Sequence, residues 1–207
     1  MPSTAEAQVE KKTRKRKVPS YLIKEWVNGI PVYYKGYRDV LNKTKAPEEI
    51  MADGMFQAIL KNWLHLLLGN QLDLKKYWIL TGEVGSHLAH RQNASHDLVI
   101  IEKSKLPPAR VSNRYADVPA KVVIEIDTAV EYGDNFPAEQ FVQQKTQQTL
   151  DFGTEKVIWI FTTTQKVMVA TPNEDWIITD WTSTLEILDG VQFNLAEFIE
   201  KEGIVLE

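Results

Sequence analysis

The chain has 207 residues, of which 43% are hydrophobic and 25% charged, enough apolar material for one domain with a packed core. The absence of Cys excludes disulfides and thiolate metal sites and fits a reducing cytoplasm, and a net charge of −4 excludes a protein-wide positive field that would attract nucleic acid. No apolar run approaches the roughly 18 residues of a membrane span, so we expect a soluble, cytoplasmic protein with no membrane partner.

Basic side chains are concentrated before the first apolar run. The segment KKTRKRK at 11–17 carries Lys and Arg residues without any hydrophobic period. Such runs are typical of solvated termini, so we predict a disordered tail over residues 1–18 in preference to a dedicated DNA-binding arm. Residues 19–207 are predicted to form a single domain.

The first predicted element is a β-hairpin. Two short apolar runs, 21–27 and 30–34, flank Asn28-Gly29, a pair that favours a tight turn because both residues adopt positive φ. Pro31 predicts that the second strand lies at a sheet edge.

A helix, three strands, a second helix and a fourth strand follow. The first helix is predicted to begin at Ala46-Pro47, to break near Asp53-Gly54, and to resume until about Gly69. Its predicted apolar stripe consists of Met55, Ile59, Trp63, Leu66 and Leu67. The later elements are a bent strand or hairpin from residue 77, strands over 97–101 and 121–127, a helix over 137–152 and a strand over 156–162.

The C-terminal region predicts another hairpin, with its turn at Asn173-Glu174, and a short helix. Asn194, with Glu197 three residues later, is a capping pattern for that helix. This order of elements, with a hairpin added at each end, predicts an α+β fold with a mixed sheet flanked by helices. The helix before residue 156 is expected to cross over between neighbouring strands.

The strand KVVIEID places acids among apolar residues. Alternation along the strand puts Glu125 and Asp127 on the face that Val123 helps to bury. An ionised carboxylate there costs several kcal/mol unless a cation or hydrogen-bond donors compensate it. A structural salt bridge and a functional carboxylate are equal alternatives for this strand taken alone.

The next helix carries a cation on its apolar face. At 100° per residue, Lys145 falls on the stripe of Phe141 and Phe152, which is the side expected to pack on the sheet. A lysine there either extends its ammonium group to water along its own stem or serves a site. Its position alone favours the first alternative.

Asp97 is predicted to begin the strand DLVII, and functional sites commonly open at strand ends. A lone aspartate there is more often a cap or turn residue. Together with Glu125 and Lys145, however, it offers hard oxygen ligands suited to Mg²⁺ or Mn²⁺, and a cation that orients water or stabilises phosphate charge. The combination predicts a divalent-metal site for phosphodiester hydrolysis.

From about Tyr21 to its C-terminus the chain resembles the "Uma two" family of restriction-endonuclease-like proteins, a branch of the PD-(D/E)XK nuclease superfamily. The resemblance rests on the aspartate in HDLVII, the glutamate in KVVIEID and the segment KTQQTLDFGTEKVIWIF. In that family the superfamily lysine lies on a helix, eight residues before a glycine. Lys145 and Gly153 have that separation.

The resemblance implies a restriction-endonuclease-like core and a set of site residues. Asp97 and Glu125 would bind Mg²⁺ or Mn²⁺, the backbone carbonyl of Ile126 would be a further ligand, and Lys145 would be the catalytic lysine. Glu83, in TGEVG, resembles a further acid that holds a metal-bound water, although a glutamate in such a glycine-rich segment is equally a turn residue.

The chain departs from the superfamily pattern at two positions. His96 stands where proline is usual, a change expected to affect only backbone stiffness. Asp127 stands where most members have lysine, and it is interpreted as a supporting acid or a loop cap. His87 and His90 with His96 also suggest zinc, but residues three apart on a strand point to opposite faces, which favours solvated or loop histidines.

These observations predict a metal-dependent endonuclease acting on DNA. Contacts to DNA would come from the metal cleft, the basic tail, or Arg110 and Arg114 in the long loop before residue 121. The alternative is a catalytically inactive nuclease-fold module that binds nucleic acid or a protein partner. An RNA or small-nucleotide substrate, and assembly as a homodimer, also stay open.

Overall fold

The computed structural model describes residues 18–89, 92–126, 130–131 and 138–206. The basic segment 1–17, His90 and Asp127 lie outside the described residues, so the predictions made for them stay predictions. No helix in the described part of the chain is long and apolar enough to cross a membrane.

Eleven strands and five α-helices are described. In chain order they are β1 (Ile23–Val27), β2 (Ile30–Tyr34), α1 (Tyr37–Leu41), α2 (Glu48–Met51), α3 (Met55–Gln71), β3 (Tyr77–Ala89), β4 (Gln92–Glu102), β5 (Val122–Ile126), β6 (Val130–Glu131), α4 (Ala138–Asp151), β7 (Lys156–Phe161), β8 (Lys166–Ala170), β9 (Ile177–Asp180), β10 (Leu185–Leu188), β11 (Val191–Phe193) and α5 (Leu195–Glu202).

Six strands form a mixed sheet in the order β3-β4-β5-β7-β8-β9. Only β5 and β7 pair in parallel, and α4 lies between them in sequence, as a parallel pair requires. The predicted α+β fold, with its order of helix, three strands, helix and strand, is confirmed by α3, β3, β4, β5, α4 and β7.

Alternation along β5 divides the core into two layers. Val122, Ile124 and Ile126 belong to the layer beneath α3 and α5, while Val123 belongs to the layer beneath α4 and β1. The first layer is built around Leu60, Leu64, Leu68, Leu98, Ile100, Ile158, Ile160 and Phe198. The second is built around Val27, Val32, Val99, Phe141, Leu150, Val157 and Trp159.

The N-terminal hairpin forms as predicted, with Asn28 at φ 50° and Gly29 at φ 75°. The edge position predicted from Pro31 is wrong, because β2 is the middle strand of the sheet β1-β2-β6. The proline is tolerated because β6 pairs with Tyr33 and Tyr34, beyond the residue that lacks an N–H.

The predicted strands over 77–81 and 97–101 are parts of longer strands. β3 has 13 residues and β4 has 11, and they pair as one long antiparallel ladder. A bulge in β3 at Gly82 and Glu83, both with positive φ, bends the ladder. Asp97 therefore lies inside β4, not at its start.

The predicted stripe of the first long helix is largely wrong. Met55, Ile59 and Leu66 are exposed, and α3 instead directs Leu60, Leu64 and Leu68 at the sheet. The helix is apolar on more than one side, so helical periodicity fits two stripes, and contact with the sheet selects one.

The C-terminal elements follow the predicted pattern. β8 and β9 form the hairpin, with Asn173 in its turn at φ 63°. The Asn194 side chain accepts a hydrogen bond from the backbone N–H of Glu197 at 3.1 Å and caps α5. The additional hairpin β10-β11 was not predicted from the sequence.

Candidate functional site

Glu125 lies in a buried cluster of ion pairs near the end of β5. Its Oε1 is 3.1 Å from Lys145 Nζ and 2.6 Å from His96 Nδ1, which must carry the proton because an ionised carboxylate only accepts. Burial opposes ionisation of Glu125, but the positive charge of Lys145 and the hydrogen bond from His96 outweigh it. Together they lower the pKa of Glu125 to about 2.

Lys145 projects from α4 into the same cluster and is buried. Its Nζ lies 2.8 Å from the Ser95 carbonyl oxygen, 3.2 Å from Glu25 Oε1 and 3.1 Å from Glu125 Oε1. Burial disfavours the charge, but Glu125 and Glu25 outweigh it and raise the pKa of Lys145. The lysine is therefore a protonated donor at neutral pH.

Asp97 is held by two donors on its own side of the cluster. Its Oδ1 is 2.6 Å from Lys61 Nζ, and its Oδ2 accepts the backbone N–H of Ile126 at 2.7 Å. Lys61 also contacts Asp53 at 2.8 Å. Burial and the nearby charge of Glu125 raise the pKa of Asp97 despite Lys61.

The peptide groups of Ile126 are fixed on both sides. Its N–H donates to Asp97, and its carbonyl accepts a hydrogen bond from Gln57 Nε2 at 3.0 Å. β5 pairs with β4 only as far as Leu98 and Ile124, so Ile126 lies beyond that ladder, although it still pairs with Ile160 of β7 on the other edge. A carbonyl oxygen has two lone pairs, and the second one is not used by Gln57.

Four of the predicted site residues are thus brought together, namely Asp97, Glu125, Ile126 and Lys145. Glu83 is placed differently. It sits in the β3 bulge with its side chain 45% exposed, and its described partner is Lys24 at 3.6 Å. The role predicted for Glu83 as an acid near the metal stays a prediction.

The structure adds Glu25, Gln57, Lys61 and His96 to the site. The effect predicted for His96 was limited to backbone stiffness, yet its ring contacts Glu125. Two patterns could have indicated the others. Glu25 alternates with the buried Val27 in β1, and Gln57 and Lys61 continue the inward stripe of Leu64 and Leu68 in α3.

Among the described residues, the buried carboxylates outnumber the buried ammonium groups. Glu25, Asp97 and Glu125 stand against Lys61 and Lys145, which leaves one negative charge in excess before His96 is counted. One carboxylate oxygen, Glu25 Oε2, is buried without a hydrogen-bond partner within the described part of the chain. Both features are costly for a buried site unless a further cation is bound.

The donor set suits a hard divalent cation, because it consists of carboxylate and carbonyl oxygens. No group of three acidic, histidine or cysteine side chains within the described ranges is arranged to hold a metal ion. Lys61 joins Asp53 to Asp97, and Lys145 joins Glu25 to Glu125. The ligands therefore fit Mg²⁺ or Mn²⁺ in chemistry, and binding requires that a carboxylate exchange a lysine for the metal.

A groove of about 800 Å³ lies between the β3-β4 ladder and the long loop before β5. Its lining includes His87, Arg110, Arg114 and Tyr115, all with exposed side chains. The loop is attached to β3 by backbone hydrogen bonds between Ala116 and its strand neighbours, at 2.8 and 2.9 Å. Of the predicted nucleic-acid contacts, Arg110 and Arg114 line this groove.

No family model matches the chain, and no curated protein matches it. A solved structure that does match is that of "a putative nuclease belonging to DUF820" from Anabaena variabilis. The TM-score is 0.62, the match covers 85% of this chain and 89% of that one, and the identity is 12%. The chain has a nuclease-like fold. Its membership of the "Uma two" family and of the PD-(D/E)XK superfamily stays a prediction.

Proposed function

We propose that this protein is a metal-dependent phosphodiester hydrolase that cleaves DNA as an endonuclease. The observation that carries the proposal is the meeting of Asp97, Glu125 and the Ile126 carbonyl where β5 ends, with Lys145 3.1 Å from Glu125. The nuclease-like fold supports the same class of reaction.

Asp97, Glu125 and the carbonyl of Ile126 would hold Mg²⁺ or Mn²⁺. The bound ion would supply Lewis-acid stabilisation of the phosphate and lower the pKa of water. Lys145 keeps its proton, since its pKa is raised, so it acts as a hydrogen-bond donor and a positive charge. It would orient the attacking water and would not remove a proton from it.

Divalent-dependent nicking of supercoiled plasmid DNA tests the proposal. Lys145→Met keeps an apolar stem of similar length and should lower the cleavage rate by about 100-fold or more. Lys121→Met is the matched control, because Lys121 also contacts two glutamates, Glu102 and Glu155, outside the site. We expect this control to cleave at the wild-type rate.

Equal cleavage by wild type and Lys145→Met would contradict the role of the lysine. Circular dichroism of each variant separates loss of activity from loss of fold, since removing one partner of a buried pair is destabilising.

An inactive module that binds nucleic acid or a protein partner is the second candidate, and one observation favours it: three oxygens of the protein already lie within 3.2 Å of Lys145 Nζ. It predicts no cleavage with either metal and no change of melting temperature on adding them.

A further inference from the structure

We propose that Glu25 is a third carboxylate ligand of the divalent metal, contributed by the N-terminal hairpin. The inference rests on the proposed function, because it names one more residue of the same site. Neither the strand pattern at 121–127 nor the resemblance to nucleases includes Glu25.

The position of Glu25 supports a ligand role. It lies in β1, its side chain is 3% exposed, and its Oε1 is 3.2 Å from Lys145 Nζ. Because the same ammonium group contacts Glu125, the two glutamates share one cation. Glu25 thus approaches Glu125, one of the predicted metal ligands, from the side of the sheet that α4 covers.

The second oxygen of Glu25 is the feature that a structural role leaves unexplained. Oε2 is buried and has no hydrogen-bond partner in the part of the chain that the structure describes. Neutralising Lys145 requires only one oxygen, and leaving the other buried without a donor costs free energy. A cation bound at Oε2 removes that cost.

Charge in the cluster supports the same assignment. The three buried carboxylates, Glu25, Asp97 and Glu125, exceed the buried ammonium groups of Lys61 and Lys145 by one before His96 is counted. One additional cation near Glu25 compensates this charge within the low-dielectric interior.

The proposed ligand role also gives Lys145 a free donor. If Glu25 turns its carboxylate from Lys145 to the metal, one N–H of the lysine becomes available to a water molecule. The contact between Glu25 and Lys145 would then belong to the metal-free protein, and metal binding would prepare the lysine for its role.

Isothermal titration of the full-length protein with MnCl2, near neutral pH and without DNA, tests the inference. Glu25→Gln should weaken Mn²⁺ binding about tenfold or more, as expected for the loss of a charged ligand. Glu155→Gln is the matched control, because Glu155 is an exposed acid that also contacts two lysines, Lys105 and Lys121. We expect this control to bind Mn²⁺ as the wild type does.

Glu25→Asp serves as the second variant if Glu25→Gln does not fold. Glu25→Asp keeps the negative charge next to Lys145 but has a side chain one methylene shorter. A ligand role predicts that Mn²⁺ binding weakens in this variant, and a purely structural role predicts that Mn²⁺ binding does not change. Wild-type binding with no loss in the folded Glu25 variants overturns the inference and leaves the proposed function standing. No Mn²⁺ binding by the wild type overturns both.

Discussion

Two buried carboxylates on neighbouring strands, Asp97 of β4 and Glu125 of β5, have pKa values shifted in opposite directions. Glu125 receives Lys145 and His96 on the same oxygen, and its pKa falls to about 2. Asp97 is also buried, but Lys61 only partly offsets that burial and the charge of Glu125, so its pKa rises. Glu125 therefore stays ionised to a lower pH than Asp97 does.

Acid unfolding tests this assignment at Glu125. Its pKa is 4.5 without the protein environment and about 2 in the fold, so its ionised form stabilises the native state above pH 4.5. That contribution, on the order of 3 kcal/mol, is lost as the pH falls from 4.5 through 2. Urea unfolding across this range should show a steeper loss for wild type than for Glu125→Gln. Parallel curves would contradict the lowered pKa.

At the scale of elements, the N-terminal hairpin and α4 form one unit around the site. β1 supplies Glu25 and α4 supplies Lys145. The Asn28 side chain in the hairpin turn donates to Gln144 at 3.0 Å and accepts from Gln148, both on α4. The turn thus fixes the distance between the elements that carry the two charges.

Substitution at the turn should disturb this unit. Gly29 has φ 75°, where a side chain is strained, so Gly29→Ala should lower the free energy of unfolding by about 1 kcal/mol. Gly69 lies within α3 with nothing within 4 Å of an added Cβ, so Gly69→Ala should raise it by about 0.5 to 1 kcal/mol. Urea unfolding of both variants measures whether the free energy of unfolding falls for Gly29→Ala and rises for Gly69→Ala. A more stable Gly29→Ala variant would contradict the turn geometry.

At the scale of the whole molecule, a net charge of −4 opposes binding of nucleic acid, so affinity must come from a local surface. The groove beside the long loop offers two arginines. Arg110 contacts Asp117 at 2.9 Å, which offsets its charge, while Arg114 is exposed in the same groove wall. We therefore expect Arg114 to contribute more than Arg110 to phosphate contacts.

Salt dependence measures that contribution. If Arg114 contacts one phosphate, Arg114→Ala should reduce the slope of log affinity against log salt for duplex DNA by about 1. Arg110→Ala should reduce it less, and Lys201→Ala in α5 should leave it unchanged. Fluorescence anisotropy with labelled duplex in Ca²⁺, over a series of salt concentrations, gives the slopes. Equal slopes for Arg114→Ala and wild type would exclude the groove as the binding surface.

The sequence by itself determined those elements whose sequence patterns depend only on residues close together in the chain. Turn chemistry at Asn28-Gly29, the cap at Asn194 and the alternation around Glu125 depend on near neighbours, and each predicts what the structure contains. The 100° step along α4 likewise placed Lys145 on its buried face. Local periodicity failed in α3, since a helix that is apolar on two sides does not specify its own inward face.

Only the tertiary structure decided which charges meet. Glu25 and Lys145 are 120 residues apart in sequence, and Gln57 and Ile126 are 69 apart, so no period links them. Their contacts arise because β1 packs beneath α4 and α3 crosses the opposite face of the sheet. The same packing buries Glu25 Oε2, which has no hydrogen-bond partner among the described residues.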